Sequence, residues 1–256
     1  MALSDQELER YARHIVLREV GGVGQARLKA AGVLVVGAGG LGNPVILYLA
    51  AAGVGTIGIV DDDTVALSNL QRQIAFQTKD IGRHKTDAAA DAAVAINPEV
   101  RIETHPVRLT AANALDMVSR YDIVADGSDN FATRFLVNDA CFFARKTLVS
   151  AAVSEFAGQL ATFKHGGPCY RCFVPEMPPR ETSCSETGVL GAAAGVMGTL
   201  QALEVLKEIT GAGESLAGQI LNFDALDTRF RLAKLRRDPA CALCGDHPTI
   251  TGLTGD

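Results

Sequence analysis

The segment VLVVGAGGLGNP, residues 33–44, constrains the fold of this 256-residue chain more than any other stretch. Its apolar start predicts a buried β-strand, its glycines predict a tight turn, and the residues after them begin a helix. The turn carries the pattern G-x-G-x-x-G at Gly37, Gly39 and Gly42. Such a turn lets a phosphate chain approach the backbone at a helix N-terminus. The segment therefore predicts a nucleotide site and leaves the nucleotide open.

A second apolar strand, TIGIVD, completes a βαβ unit and ends at Asp61. Asp61 follows Gly42 by 19 positions (61 − 42), close to the spacing at which such units place a carboxylate on the ribose hydroxyls. Further strands (VRIETHPVRL, YDIVAD, TLVSAAV, GQLATF) alternate with helical segments, and QILNFDA and RFRLAKL read as an antiparallel pair. This order predicts an α/β fold: a Rossmann-like, mixed, largely parallel sheet with helices on both faces.

Charge and hydropathy exclude several classes of protein. The net charge of −5 provides no overall basic field, so we expect no nucleic-acid partner. No apolar run reaches the ~20 residues of a membrane span. The start, MALSDQELER, has early acids and no apolar stretch, so it is unlike a signal peptide. We therefore expect a cytoplasmic protein with no membrane partner.

Charged residues after the first βαβ unit indicate which nucleotide chemistry the site performs. Arg72 and Lys85 follow Asp61 within 25 residues, and Asp129 and Asn130 follow the strand YDIVAD. A carboxylate beside phosphates suits Mg²⁺, and cations with Mg²⁺ stabilise charge on a phosphorus under attack. A dehydrogenase does not need this set, so the residues favour phosphoryl or nucleotidyl transfer from ATP. The alternative is that Arg72 and Lys85 are surface charges and Asp129 caps a helix.

The six cysteines divide into two C-x-x-C pairs and two single residues. Cys169 and Cys172 are separated from Cys241 and Cys244 by 68 residues (241 − 172 − 1). Four thiolates complete a closed tetrahedral zinc site, which would pin the C-terminal antiparallel strands to the segment around residue 170. A redox pair is the alternative, although neither pair looks placed to open a helix after a strand. Cys141 lies among apolar helical residues and is expected in the core.

Several motifs together resemble one family. They are GAGGLG, the strand-ending Asp61, SNLQRQ, GRHK, GSDN, RYARHIVL, CYRC, TSCSETGV, GVMGTLQALEVLK and CALCG. This set is similar to that of the MoeB/ThiF family, prokaryotic relatives of the ubiquitin-activating enzymes, and within it to the MoeB branch. The resemblance covers nearly the whole chain, and SNLQRQ followed by GRHK is far more specific than the glycine turn.

The resemblance implies a reaction. Such enzymes bind Mg-ATP and the C-terminal Gly-Gly tail of a ubiquitin-like sulfur-carrier protein, whose carboxylate attacks the α-phosphate to form an acyl-adenylate and release pyrophosphate. It places Gly40 at the phosphates, Asp61 on the ribose, Lys85 near phosphate charge and Asp129 on Mg²⁺. The nucleotide-binding set that it implies is Gly37, Gly39, Gly40, Gly42, Asp61, Ser68, Asn69, Leu70, Gln71, Arg72, Lys85, Asp129 and Asn130.

The resemblance also implies roles outside the nucleotide turn. Arg13 would reach into the site of a partner subunit, which implies a homodimer. Cys184 would take the activated carrier covalently, or it is an incidental exposed cysteine. Structural zinc at the four paired cysteines is implied as well. The carrier could be MoaD-like, for molybdopterin, ThiS-like, for thiamine, or one that serves thiolation of tRNA, and a sulfur donor, if needed, would be a separate protein.

These implications give the expected organisation. We expect one adenylation domain over 1–245, made of a helical arm (1–30), a nucleotide-binding half (31–150) and a half for carrier and zinc (151–245). Residues 246–256 are predicted to be a disordered tail. Three other functions stay open: an NAD-dependent oxidoreductase, a scaffold without activity that binds a ubiquitin-like partner, and an ATP-dependent tRNA dehydratase.

Overall fold

The computed structural model describes residues 3–177 and 188–253. Within them, one eight-stranded sheet has the strand order β3-β2-β1-β4-β5-β6-β7-β8. The strands are β1 Gly32–Val36, β2 Thr56–Val60, β3 Arg101–His105, β4 Ile123–Asp126, β5 Thr147–Ser154, β6 Ala157–Phe163, β7 Gln219–Asp224 and β8 Arg229–Lys234. Strands β1 to β5 are parallel, and β5 to β8 pair antiparallel. The prediction of a mixed, largely parallel sheet is confirmed.

Helices cover both faces of the sheet, as predicted. They are α1 Asp5–Arg10, α2 Ala12–Ile15, α3 Gly21–Ala30, α4 Gly42–Ala52, α5 Lys85–Ile96, α6 Ala114–Ser119, α7 Phe131–Ala144, α8 Tyr170–Phe173 and α9 Gly191–Thr210. Side chains of α3, α4, α5 and α9 form one apolar core, and side chains of α6, α7 and α8 form the second. Cys141 lies in the second core, as its apolar neighbours indicated.

Strand β1 shows why an uninterrupted apolar run belongs in the middle of this sheet. Val33 and Val35 enter the first core, whereas Leu34 and Val36 enter the second. Because successive side chains of a strand point to opposite faces, a strand covered on both faces needs apolar residues at every position. Each such side chain contributes about 1.5–3 kcal/mol through burial, so β1 anchors the turn that follows it.

The N-terminal arm, predicted to be helical over residues 1–30, consists of three separate helices, α1 to α3. A capping box opens α1, because Ser4 Oγ accepts from the Glu7 N–H at 3.2 Å and the Glu7 carboxylate accepts from the Ser4 N–H at 2.7 Å. Residues 5–16 do not form a continuous apolar face, since Leu8 and Val16 are 45% and 76% exposed. The helix divides at Tyr11, which is buried and accepts a hydrogen bond from Asn97 Nδ2 on its hydroxyl.

The C-terminal segment is ordered as far as the structure describes it. The Ile250 N–H donates to the Ala242 carbonyl at 2.9 Å, and Leu253 packs on the second core. Residues 246–253 thus pack against the rest of the fold through two apolar side chains, whereas the sequence predicted a disordered tail. Among the residues that the structure describes, no helix has both the length and the apolar character that crossing a bilayer requires.

Candidate active site

A pocket opens at the carboxyl ends of β1, β2 and β4, where open α/β sheets bind ligands. Gly37 has φ +87°, and a Cβ there would lie 3.2 Å from the Gly127 carbonyl oxygen. A Cβ on Gly42 would lie 1.8 Å from the Gly37 carbonyl oxygen. Glycine is thus required at both positions, one for backbone conformation and the other for close packing. The turn after β1 consequently lies against the turn after β4, which brings Asp129 towards the glycine turn.

Asp61, at the end of β2, is tied to the glycine turn. One carboxylate oxygen accepts the Ala38 N–H at 2.8 Å, and the other accepts the Asp63 N–H at 2.9 Å. Burial raises the pKa of Asp61 above its ordinary value, and the Lys85 cation works against that shift. Each oxygen keeps a lone pair that can accept from a hydroxyl. The geometry is compatible with the ribose contact that the sequence predicted.

Lys85 lines the same pocket, but in this structure its charge is already paired. Its Nζ lies 2.6 Å from Asp63 Oδ2, and the lysine side chain is 7% exposed whereas that of Asp63 is 68% exposed. A buried ammonium beside one exposed carboxylate retains donors for a second anion. Lys85 can therefore hold Asp63 and face a phosphate from the same position.

Arg72 reaches the pocket from the SNLQRQ segment, whose residues Leu67–Asn69 form a 3₁₀ turn. Its guanidinium donates to the Ser68 carbonyl at 3.0 Å, and its Cγ would lie 3.4 Å from a Cβ on Gly40. Gln73 follows it into the pocket lining; among the described residues, its buried Oε1 has no hydrogen-bond partner. A cationic fork beside the glycine turn suits an anionic ligand.

The loop after β4 rests on a buried polar network. Asp126 accepts from the Ser128 N–H at 3.0 Å and from Ser150 Oγ at 2.9 Å. Arg134, on α7, donates to the carbonyls of Ser128 and Ala151 and lies 3.6 Å from the Asp126 carboxylate. This network fixes the loop that presents the exposed carboxylate of Asp129 to the pocket.

The helix after this loop is not capped by Asp129. Asn130 is the N-cap of α7, and its side chain accepts from the Thr133 N–H at 2.8 Å. The Asp129 carboxylate has a long contact of 3.4 Å from Asn130 Nδ2. Its lone pairs are therefore available for a cation, whereas they would have been used if Asp129 capped the helix.

The structure brings most of the predicted nucleotide residues together. Pocket-lining residues from that set are Gly37, Gly39, Gly40, Asp61, Asn69, Arg72, Lys85 and Asp129. Asn130 lines two adjoining cavities that share Asp129 with this pocket. Outside the lining are Gly42, Ser68, Leu70 and Gln71. Gly42 serves packing, and Leu70 packs against the first core.

Several residues that line the pocket were not among those predicted from the sequence. They are Leu41, Asp63, Gln73, Gly127, Ser128, Arg134, Val153, Val189 and Ala194. A signal for Arg134 was present, because it follows Asn130 by four positions and therefore shares a face of α7 with the loop end. Val153, Val189 and Ala194 come from distant segments, and no local pattern marks them.

Two predicted catalytic residues lie outside this pocket or outside the description. Arg13 is exposed on α2 and does not line the pocket of its own chain. Cys184 falls in the segment 178–187, outside the described residues. The trans role of Arg13 and the covalent role of Cys184 both stay predictions.

The four paired cysteines converge although 68 residues separate the pairs. Their sulfur atoms all lie within 4.8 Å of one another. Cys169 Sγ is 3.6 Å from Cys241 Sγ, and Cys172 Sγ is 3.3 Å from Cys244 Sγ. Four sulfurs at 2.3 Å from one tetrahedral ion would be about 3.8 Å apart, whereas a disulfide needs about 2.05 Å. The cluster fits a thiolate-bound metal.

The prediction that neither cysteine pair opens a helix after a strand is wrong for the first pair. Cys169 is the N-cap of α8, so the first pair does open a short helix after β6. The short sulfur contacts nevertheless join the two pairs crosswise rather than joining the cysteines within each pair. Burial raises the pKa of the Cys169 thiol, which disfavours a reactive thiolate there unless a cation is bound.

Comparison with known proteins gives relatives over almost the whole chain. It is 50% identical over 97% of its length to a sulfur carrier protein adenylyltransferase of Thermus thermophilus, and the match covers 95% of that protein. It is 54% identical over 98% of its length to the adenylyltransferase and sulfurtransferase MOCS3 of Bos taurus. The match covers 56% of MOCS3, so the chain spans little more than half of that relative.

The fold also recurs among solved structures. A crystal structure of E. coli MccB with MccA-N7isoASN aligns with a TM-score of 0.83 over 95% of this chain and 75% of that chain, at 23% identity. The ThiF family model matches residues 11–243, which contain the pocket and three of the four clustered cysteines. The chain therefore belongs to the ThiF family.

Proposed function

We propose that this protein is an ATP-dependent adenylyltransferase that activates the C-terminal glycine of a ubiquitin-like sulfur-carrier protein. The observation that carries the proposal is the meeting of the glycine turn, two cations and an exposed carboxylate in one pocket. The relatives from Thermus thermophilus and Bos taurus, which are named as adenylyltransferases, support the same chemistry. The molybdopterin, thiamine and thiolation pathways are the candidate destinations of the activated carrier.

The reaction joins the carrier to AMP. A carboxylate oxygen of the terminal glycine attacks the α-phosphorus of ATP and forms a new P–O bond. The bond between the α-phosphorus and the bridging oxygen breaks, and pyrophosphate leaves with the electron pair. The product is an acyl-adenylate, and no other co-reactant is needed. Because both partners are anions, the site must neutralise charge before the oxygen and phosphorus can meet.

This chain's residues supply that neutralisation. The backbone at Gly39 and Gly40 lets the phosphates lie close to the turn, because no Cβ intervenes. Arg72 and Lys85 face the phosphates as preorganised cations. Asp61 holds the ribose through its remaining lone pairs, and the buried network around Arg134 keeps the loop of Asp129 in position.

Two metals belong to this proposal. Asp129 would hold Mg²⁺ together with phosphate oxygens, and the ion would supply further neutralisation of the triphosphate. Cys169, Cys172, Cys241 and Cys244 would hold zinc, which the crosswise sulfur spacing supports. Zinc there would be structural, because it joins α8 to the segment after β8 and four thiolates leave no open position for substrate.

A homodimer completes the proposal. The exposed position of Arg13, away from the pocket of its own chain, is compatible with a guanidinium offered to a second subunit. Cys184 would receive the activated carrier in a later step. Adenylation itself requires neither a covalent cysteine intermediate nor the sulfur donor, so the first step can be assayed in isolation.

Intact mass measurement of the carrier tests the proposal. After incubation with Mg-ATP, a MoaD-like or ThiS-like carrier should gain the mass of one adenylyl group (AMP less one water) at its C-terminus. The same carrier without its final glycine is the control and should gain nothing. An unchanged mass for both carriers would refute adenylation, and NAD binding and tRNA would then be tested.

A further inference from the structure

Beyond the nucleotide pocket, the sheet carries a row of four side chains, three of them polar, that has no role in the adenylation step. Ala152, Gln159, Asn222 and Arg231 are direct lateral partners on β5, β6, β7 and β8. They share the face whose neighbouring rows, through Ala161 and Ile220, enter the second core. At Gln159 and Arg231 this face is exposed. We call these four residues the cross-strand row.

The row lies along a groove that opens into the nucleotide pocket. The groove has a volume of about 320 Å³ and is lined by Gln159 and Asn222, among other residues. Asp129, Arg134 and Val153 line both the groove and the nucleotide pocket. A ligand that occupies the groove therefore has one end at the loop of Asp129 and the other towards the sheet edge formed by β8.

The side-chain amides of Gln159 and Asn222 are hydrogen-bonded to each other and can still form further hydrogen bonds. Gln159 Nε2 donates to Asn222 Oδ1 at 3.2 Å. Within residues 3–177 and 188–253, Gln159 Oε1 and the hydrogens of Asn222 Nδ2 have no other hydrogen-bond partner. The pair thus presents one acceptor and one donor side by side, which is what the N–H and C=O of an extended peptide require.

Distances decide which part of a peptide would meet this pair. Neighbouring strands lie about 4.8 Å apart, so Gln159 and Asn222 are about 5 and 10 Å from β5. An extended chain advances about 3.3 Å per residue. A tail whose carboxylate reaches the nucleotide beside β5 would therefore pass the pair about two to three residues before its end.

We propose that Gln159 and Asn222 form a clamp that reads the backbone of the carrier's C-terminal tail. This inference rests on the proposed function, since it takes the carrier as the substrate. A glycine-rich tail suits such a clamp, because its backbone is not shielded by side chains and the small side chain of Ala152 leaves the groove floor low. Backbone reading recognises an extended, small-residue tail and is indifferent to side-chain charge.

The test removes the amides and keeps the side-chain size. The double variant Gln159→Met/Asn222→Leu is compared with wild type, using whichever carrier the wild-type enzyme adenylates. Losing two hydrogen bonds of ordinary net strength should raise KM for the carrier about 10-fold or more. KM for ATP and kcat should stay unchanged, because the clamp lies away from the reacting atoms.

Gln219→Met is the matched control. Gln219 lies on the same strand as Asn222 but alternates with it, so its side chain points to the other face, and it does not line the groove. It should leave KM for the carrier unchanged. An equal rise in the control, or an unchanged KM in the double variant, would overturn the inference.

A carrier with one N-methylated glycine tests the backbone contact directly. Carriers methylated two, three or four residues before the C-terminus lose one N–H each. At the position facing Gln159, methylation should raise KM for wild type and have no further effect on the double variant. Additive effects at all three positions would overturn the clamp. Failure of wild type to adenylate any carrier would instead refute the proposed function.

Discussion

Arg72 is the residue whose removal tests the site most sharply. Its side chain lies beside Gly40, and its guanidinium donates a hydrogen bond to the Ser68 carbonyl near the surface. Arg72→Ala should lower the rate of adenylation at least about 100-fold, as expected for a lost donor at developing charge. Stability should change by no more than about 0.5 kcal/mol, as for other surface substitutions.

Arg72→Lys is the informative partner variant. It retains the charge and loses the two-pronged geometry, so it should recover part of the lost rate. Steady-state adenylation and thermal unfolding are measured on both variants. Full activity in Arg72→Ala would remove this residue from the site.

At the residue scale, the sequence revealed those side chains that follow strand ends or belong to compact motifs. Asp61 and Asp129 were identifiable because parallel strands deliver their carboxyl ends to one edge. Arg134 and Gln73 were not identified: their importance depends on what the folded loop and turn place beside them. The amide pair of Gln159 and Asn222 depends on strand register across 63 residues, which no local pattern encodes.

Among the elements, α1 is docked by an ion pair that makes its packing sensitive to pH. Glu7 Oε2 lies 2.7 Å from Lys29 Nζ on α3. This hydrogen bond, together with the one from the Ser4 N–H, lowers the pKa of Glu7 below its ordinary value of about 4.3. A lowered folded-state pKa stabilises the fold above the unfolded value, and the contribution is lost as pH falls through the lowered pKa.

The expected outcome is a difference in thermal stability that depends on pH. Glu7→Gln should lower Tm by about 3 °C at pH 7, since it loses a charge-assisted hydrogen bond. The difference from wild type should shrink as the pH is lowered below about 4. Thermal unfolding from pH 3 to pH 8 measures it, and a difference independent of pH would contradict the ionic role of Glu7.

The elements themselves were largely predictable from periodicity and from turn residues. The apolar pattern of β1 fits a buried strand, and the apolar pattern of α9 fits a long helix. The N-terminal arm was less predictable, because Tyr11 is drawn into a contact with Asn97 and Gly53 that divides the helix. Ile250 docks beside the cysteine cluster, whose position depends on long-range convergence of the chain.

Considered as a whole, the molecule joins its distant segments at the cysteine cluster. The cluster connects α8 to the segment that follows β8. Removal of zinc should lower Tm, while the folded fraction keeps its affinity for ATP, because the cluster does not line the nucleotide pocket. Chelation followed by thermal unfolding and nucleotide titration tests this. Protein that contains no zinc after purification in metal-replete buffer would contradict the structural role.

In the proposed function, the glycine turn serves nucleotidyl transfer to a carrier carboxylate. The most direct measurement is exchange of labelled pyrophosphate into ATP, with MoaD-like and ThiS-like carriers supplied separately. Exchange should require a carrier: exchange with one carrier identifies the pathway, and exchange with both indicates a shared activator. No exchange with either carrier would rule out nucleotidyl transfer to a carrier at this turn.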